Sequence, residues 1–249
     1  MEQAVIRREP LSAEYGIYVS NEHSFGTDAV LLADFASRGR KGLKAVDLGT
    51  GCGIIPMLMI KRGAVSEVTG LEISAAACSL ADRTIKENSV QGVFGVINCD
   101  LRVLPSELKK GYFDLVTCNP PYKAAGAGIV SRGKADRVAR HETECALGDV
   151  FTAAAKLLRF SGRLCICQRP ERLADIFVSM REAGIEPKRF REVIQREGGK
   201  AWLVLVEGRL GGKSGIETMP PLYIEKGGIL SPEMIDIYGE YKEGHGEGV

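Results

Sequence analysis

From residue 43 onward, short apolar runs alternate with amphipathic stretches. The runs at 43–48, 65–72, 93–98 and 112–118 read as strands, and 54–61 and 75–89 carry the spacing of helices. A long helix rich in Ala and Leu is expected over 143–160, a strand over 163–168 and a helix over 170–183. Strand-like runs at 189–195 and 201–207 close the series. Repeated strand–helix–strand with short connections predicts a parallel sheet covered on both faces. No helix separates the last two strands, so one of them is expected to run antiparallel. The pattern predicts an α/β, Rossmann-like core with a seven-stranded, mostly parallel sheet, one antiparallel strand and helices on both faces.

Residues 1–42 precede this core as an N-terminal segment, with weak strand signals at 4–8 and 17–19. A helix is expected over 28–38, with Thr27 as its cap and Asp28 in its first turn. After the core, Gly211-Gly-Lys-Ser-Gly215 reads as a flexible joint, and 221–224 as a possible edge strand. Ser231-Pro232-Glu233 then opens a short helix with a cap, a proline at the first helical position and an early carboxylate. Three parts follow: 1–42, the core 43–210 and an extension 211–249. No internal repeat or low-complexity segment is visible.

Composition narrows the class without naming a chemistry. A chain of 249 residues, 45% hydrophobic and 26% charged, has room for a substantial core. No apolar run approaches the roughly 18 residues of a membrane helix. Residues 1–8 lack the apolar centre of an export signal, so a cytoplasmic protein is expected. The seven cysteines contain no C-x-x-C pair and read as reduced thiols rather than as a metal site. Net charge is only +1, yet Lys123, Arg132, Lys134, Arg137 and Arg140 face a single acid, Asp136, between residues 123 and 141. Such a loop suits a polyanion, and equally a solvated surface.

The loop Asp47-Leu-Gly49-Thr50-Gly51-Cys52-Gly53 joins the first core strand to the first core helix. Its glycines let backbone approach a ligand closely. A dinucleotide loop usually reads G-x-G-x-x-G, whereas this one reads G-x-G-x-G behind an acid. Asp47 would repel a pyrophosphate but not a group bearing an amine and a sulfonium. Glu72, followed by Ile73, ends the second strand, where a carboxylate can bind both ribose hydroxyls. Asp100, followed by Leu101, lies just past the third, where an acid can accept from an adenine amino group. Three acids at three successive strand ends favour S-adenosylmethionine, with NAD or a non-catalytic relic as the alternatives.

The fourth strand delivers Asn119-Pro120-Pro121-Tyr122 to the same edge. A planar –NH2 conjugated to a ring or carbonyl is a poor nucleophile. The Asn119 side-chain oxygen and the Pro120 carbonyl could each hold one of its hydrogens and turn its lone pair toward a methyl donor. Proline keeps the loop rigid, and Tyr122 could stack on a planar substrate. A bare turn after a strand is the structural alternative. No Ser–His–Asp or Cys–His arrangement competes: His23, His141 and His245 are scattered.

With Asp47–Gly53, Glu72, Asp100 and Asn119–Tyr122 in place, the chain resembles class I S-adenosylmethionine-dependent amino-methyltransferases. Phe25-Gly-Thr-Asp-Ala-Val-Leu-Leu32 is similar to a segment of the bacterial tRNA1(Val) adenine-N6-methyltransferase family. Ala139-Arg-His-Glu142, Arg169-Pro-Glu-Arg172 and Pro220-Pro-Leu222 resemble its Gram-positive version. The resemblance implies methylation at N6 of an adenine beside a tRNA anticodon, position 37. It implies that Thr27, Asp28, Gly49, Gly51, Glu72 and Asp100 line the cofactor site. Asn119, Pro120 and Tyr122 would hold a flipped-out base, and the loop from Lys123 to Arg140 would meet phosphates. Lys-Ala-Ala-Gly-Ala-Gly after Tyr122 departs from relatives that carry a second aromatic there.

Other N-P-P-Y enzymes act on a protein glutamine, a ribosomal guanine N2 or a DNA adenine. The segment before the cofactor loop is short for the first, and the tail is short for a DNA target-recognition region. The 249 residues show no duplicated domain of the kind typical of the guanine enzymes, so that reaction is not expected. A non-catalytic RNA-binding relative is opposed by the intact Asp47, Glu72 and Asn119–Tyr122. Oligomeric state, monomer or dimer, is left open by the sequence.

Overall fold

The computed structural model describes residues 5–121 and 147–241. A hairpin opens the chain, β1 (Arg7–Pro10) against β2 (Gly16–Val19), separate from the main sheet. Helix α1 (Thr27–Ser37) follows. The core then runs β3 (Leu43–Leu48), α2 (Ile54–Lys61), β4 (Val65–Glu72), α3 (Ala75–Glu87), β5 (Phe94–Asn98) and β6 (Phe113–Cys118). It continues with α4 (Leu147–Leu157), β7 (Leu158–Gln168), α5 (Leu173–Glu182), β8 (Ile185–Arg196) and β9 (Ala201–Leu210). Last come β10 (Glu217–Thr218), β11 (Leu222–Lys226), β12 (Ile229–Leu230) and α6 (Pro232–Tyr238).

The sheet order is β12-β11-β8-β9-β7-β6-β3-β4-β5, with β10 beside β8. The seven expected strands lie together, and β9 is the antiparallel one against both β7 and β8. Three short strands from the C-terminal stretch extend the same sheet to ten. Two of them are only two residues long, too short to show any periodicity. Along β7 the side chains divide strictly. Cys165 and Cys167 join the apolar cluster of α1, α2 and α6, while Leu164 and Ile166 join that of α4 and α5. Each face of the sheet is thus sealed by its own helices.

Local chemistry moves some boundaries from those expected. Thr27 is not the cap of α1: Gly26 occupies that position without a side-chain bond. The Thr27 hydroxyl instead pairs with Tyr238 Oη at 2.9 Å. Helix α3 stops before 89 because the Asn88 amide is pinned to Gly16 in both directions and Ser89 takes φ +54°. The helix expected to reach 160 gives way to β7 at Leu158, which pairs with Phe113. Residues 170–172 form a 3-10 turn ahead of α5. The cap at Ser231 is as expected, its Oγ accepting from Met234 N–H at 3.2 Å.

Candidate active site

The glycine turn leaves β3 at Leu48 and enters α2. Gly51 sits at φ +56°, and its N–H donates to Glu72 Oε2 at 2.8 Å. Gly53, at φ +88°, caps α2, and a Cβ there would meet the Phe94 ring at 3.0 Å. Ser74 N–H donates to the other Glu72 oxygen at 2.8 Å. One carboxylate therefore ties the end of β4 to the glycine turn and to the start of α3.

Asp47 is 1% exposed beneath this turn. Thr117 on β6 donates to its Oδ1 at 2.7 Å, whereas Oδ2 has no partner among the described residues. Burial pushes its carboxyl up to about 7, against the Thr117 hydrogen bond and helped by the charge of Glu72. Asp100 is held by Arg102, whose Nε lies 2.9 Å from Oδ2 and whose backbone N–H lies 2.9 Å from Oδ1. Those hydrogen bonds hold the Asp100 carboxyl below its usual range.

β6 ends at Cys118 and hands the chain to Asn119 and Pro120 at the same edge. Asn119 Nδ2 donates to Asp28 Oδ2 on α1 at 3.0 Å. The thiol of Cys167, near the end of β7, lies 3.1 Å from Asn119 Oδ1 and donates to it.

A cavity of about 270 Å³ opens between these strand ends. Gly49, Glu72, Ile73, Asp100, Leu101, Asn119, Pro120 and Pro121 line it, all singled out by sequence. Cys99, Arg102 and Val150 also line it and were not foreseen. Asp47, Thr50 and Cys52 are buried behind the turn. Thr27 lines a different cavity, with Trp202 and Tyr238. Tyr122, Lys123, Arg132, Lys134, Arg137 and Arg140 lie outside the described residues. Cys167 was legible only as one of seven reduced thiols, and nothing in the spacing tied it to Asn119. Among the described residues no cluster of His, Cys, Asp or Glu could hold a metal ion, and no helix is long and apolar enough to cross a membrane.

Residues 10–180 match the family model described as a methyltransferase small domain. The chain belongs to this family. Its sequence is 31% identical over 156 residues to a protein of Porphyromonas gingivalis named tRNA1(Val) (adenine(37)-N6)-methyltransferase, covering 61% of this chain and 60% of that one. A protein of the same name from a Flavobacteriaceae bacterium (strain 3519-10) is 26% identical over 141 residues, 57% of each chain. The chain thus matches less than two thirds of these relatives' length. A predicted O-methyltransferase from Agrobacterium tumefaciens superposes with a TM-score of 0.70 at 21% identity, covering 86% of this chain and 96% of that one. Geranyl diphosphate C-methyltransferase from Streptomyces coelicolor A3(2) gives 0.54 at 15% identity, covering 74% and 80%. These superpositions show a methyltransferase fold. In this methyltransferase domain the glycine turn and Asn119 share one cavity, while β8 to α6 lie beyond the residues matched.

Proposed function

We propose that this protein is an S-adenosylmethionine-dependent methyltransferase acting on N6 of an adenine in tRNA, at position 37 beside the anticodon of tRNA1(Val). One observation carries the reading: Asn119 and Pro120 line the same cavity as Gly49 and Glu72. This shared lining supports reading Asn119 and Pro120 as acceptors for an amino group beside residues suited to a cofactor.

The residues present fit that cofactor. The acids Glu72 and Asp100 line the cavity and suit a ligand with ribose hydroxyls and cationic groups, and behind the turn the buried Asp47 keeps an Oδ2 with no partner among the described residues. Glu72 and Asp100 would hold its nucleoside part, and the glycine turn its amino-acid part. When bound, it supplies an electrophilic methyl group on a sulfonium. The protein's share is then to hold the acceptor amine by its hydrogens. A base in an anticodon loop is single-stranded, so it unstacks at little cost. The five cations between Lys123 and Arg140 would supply phosphate contacts. Two relatives carrying the name of this activity support the choice of tRNA, and such a substrate suits a cytoplasmic protein.

Mass spectrometry of nucleosides from tRNA and rRNA of a deletion strain tests the reading. Loss of N6-methyladenosine from tRNA-Val, restored by the wild-type gene but not by Asn119→Ala, is expected. Intact tRNA with a missing N2-methylguanosine in rRNA would instead assign the guanine reaction.

A further inference from the structure

From the contact between α1 and the acceptor loop we infer that Asp28 is the positioning residue of the acceptor site, and that its carboxylate sets which atom of Asn119 faces the substrate amine. The inference rests on the amino-methyltransferase reading and goes beyond it. The family resemblance assigned Asp28 to the cofactor site.

The geometry is specific. Asp28 Oδ2 lies 3.0 Å from Asn119 Nδ2, across 91 residues of sequence. An ionised carboxylate only accepts, so the amide must turn its NH2 toward α1. Oδ1 is thereby turned to the side of Cys167, whose thiol donates to it at 3.1 Å. An amide oxygen carries two lone pairs, and the thiol, a weak donor, engages one of them. The other Asp28 oxygen accepts from Ala29 N–H at 2.9 Å, which braces the carboxylate on the first turn of α1. Removing the carboxylate removes the contact that pins the NH2 end to α1. A flipped amide would present NH2 to an –NH2, a donor against a donor.

The charge matters as well as the orientation. As the substrate nitrogen gives its lone pair to the methyl carbon, the bonding pair of the broken S–C bond stays on sulfur. The nitrogen carries positive charge until one of its hydrogens passes to water. A carboxylate one amide away polarises Asn119 so that Oδ1 becomes more negative, which stabilises that charge as it develops.

Two measurements decide the matter. In asparagine-15N-labelled protein the Asn119 side-chain amide is identified by its loss in Asn119→Ala. One of its protons is expected downfield, and the shift is expected to collapse in Asp28→Ser, which keeps a hydroxyl for the first helical turn but is too short to reach. Identical amide resonances in the two proteins overturn the inference whatever the substrate is. The second measurement uses Asp28→Asn, which keeps the shape and removes the charge. Its kcat on tRNA is expected to fall roughly 10- to 100-fold. Its calorimetric affinity for S-adenosylmethionine is expected to stay within about 2-fold. Wild type should bind RNA with adenine at the target more tightly than RNA with purine there by roughly 5- to 10-fold, the worth of one hydrogen bond. Asp28→Asn should lose most of that preference. A fall in cofactor affinity that accounts for the whole rate loss would make Asp28 a cofactor contact and overturn the inference. If wild type methylates no RNA, the RNA reading fails, and the amide resonances still decide the role of Asp28.

Discussion

Asn119 lines the cavity while Asp47 is buried behind the glycine turn, and the two are prepared in opposite ways. Asn119 has both ends of its amide engaged, by Asp28 and by Cys167. Asn119→Ala removes the side-chain acceptor and nothing from the glycine turn. Methyl transfer to RNA is expected to fall by roughly 10²–10³-fold, with cofactor affinity by calorimetry near wild type. Retention of most of the rate would remove the acceptor-loop argument. Asp47 is buried with one oxygen unpartnered, and its carboxyl titrates near 7 rather than 3.8. Between these values the folded chain keeps a proton that the unfolded chain has released. Stability therefore falls as pH rises through that window and levels off above about 7. In the ligand-free protein Asp47→Asn is expected to raise Tm at pH 8, by an advantage that shrinks as pH falls toward 4. A Tm difference independent of pH would show that Asp47 is ionised or solvated in the fold.

At the scale of elements, the junction of β7, β8 and β9 with α1 is held by charges inside the protein. Glu207 Oε2 accepts from Arg163 Nη1 and from Arg189 Nη2, each at 3.0 Å. Arg189 also donates to the carbonyl of Phe35 on α1 at 3.0 Å. The Arg163 and Glu207 side chains are each only 7% exposed. Removing the carboxylate leaves two cations without their shared partner, so Glu207→Ala is expected to cost about 3–5 kcal/mol in urea unfolding. A loss below about 1 kcal/mol, the range of exposed pairs, would mean that water reaches the cluster. The C-terminal helix is tied differently. Arg191 on β8 grips the Glu233 carboxylate with two bonds of 2.6 and 2.8 Å, and Arg38, at the C-terminal cap of α1, reaches Asp236 at 2.6 Å. The carboxylate that the sequence suggested for the helix dipole is therefore also an anchor to the sheet.

For the whole molecule, a net charge of +1 gives no general attraction to RNA, so the five cations between Lys123 and Arg140 have to supply it locally. Replacing Arg132 and Lys134 by glutamine is expected to weaken tRNA binding and to flatten log Kd against log salt by about 1.4, at ~0.7 per lost contact with single-stranded RNA. An unchanged slope would place that loop in solvent. The strand and helix succession of the core was legible in the chain because period 2 and period 3.6 are local properties that burial on a two-faced sheet enforces. So were the glycine turn, the acids after successive strands and the Asn-Pro-Pro stop, since each depends on a few neighbouring residues. Beyond reach of the pattern were the two-residue strands β10 and β12, the fate of the Thr27 hydroxyl and the pairing of Arg102 with Asp100. Sequence by itself determined which residues end the strands at the sheet edge. Only the tertiary structure decided that Asp28 meets Asn119 and that Cys167 flanks it, because those contacts are created where α1 and β7 pack against the end of β6, and no local periodicity encodes a meeting of side chains 91 and 48 residues apart.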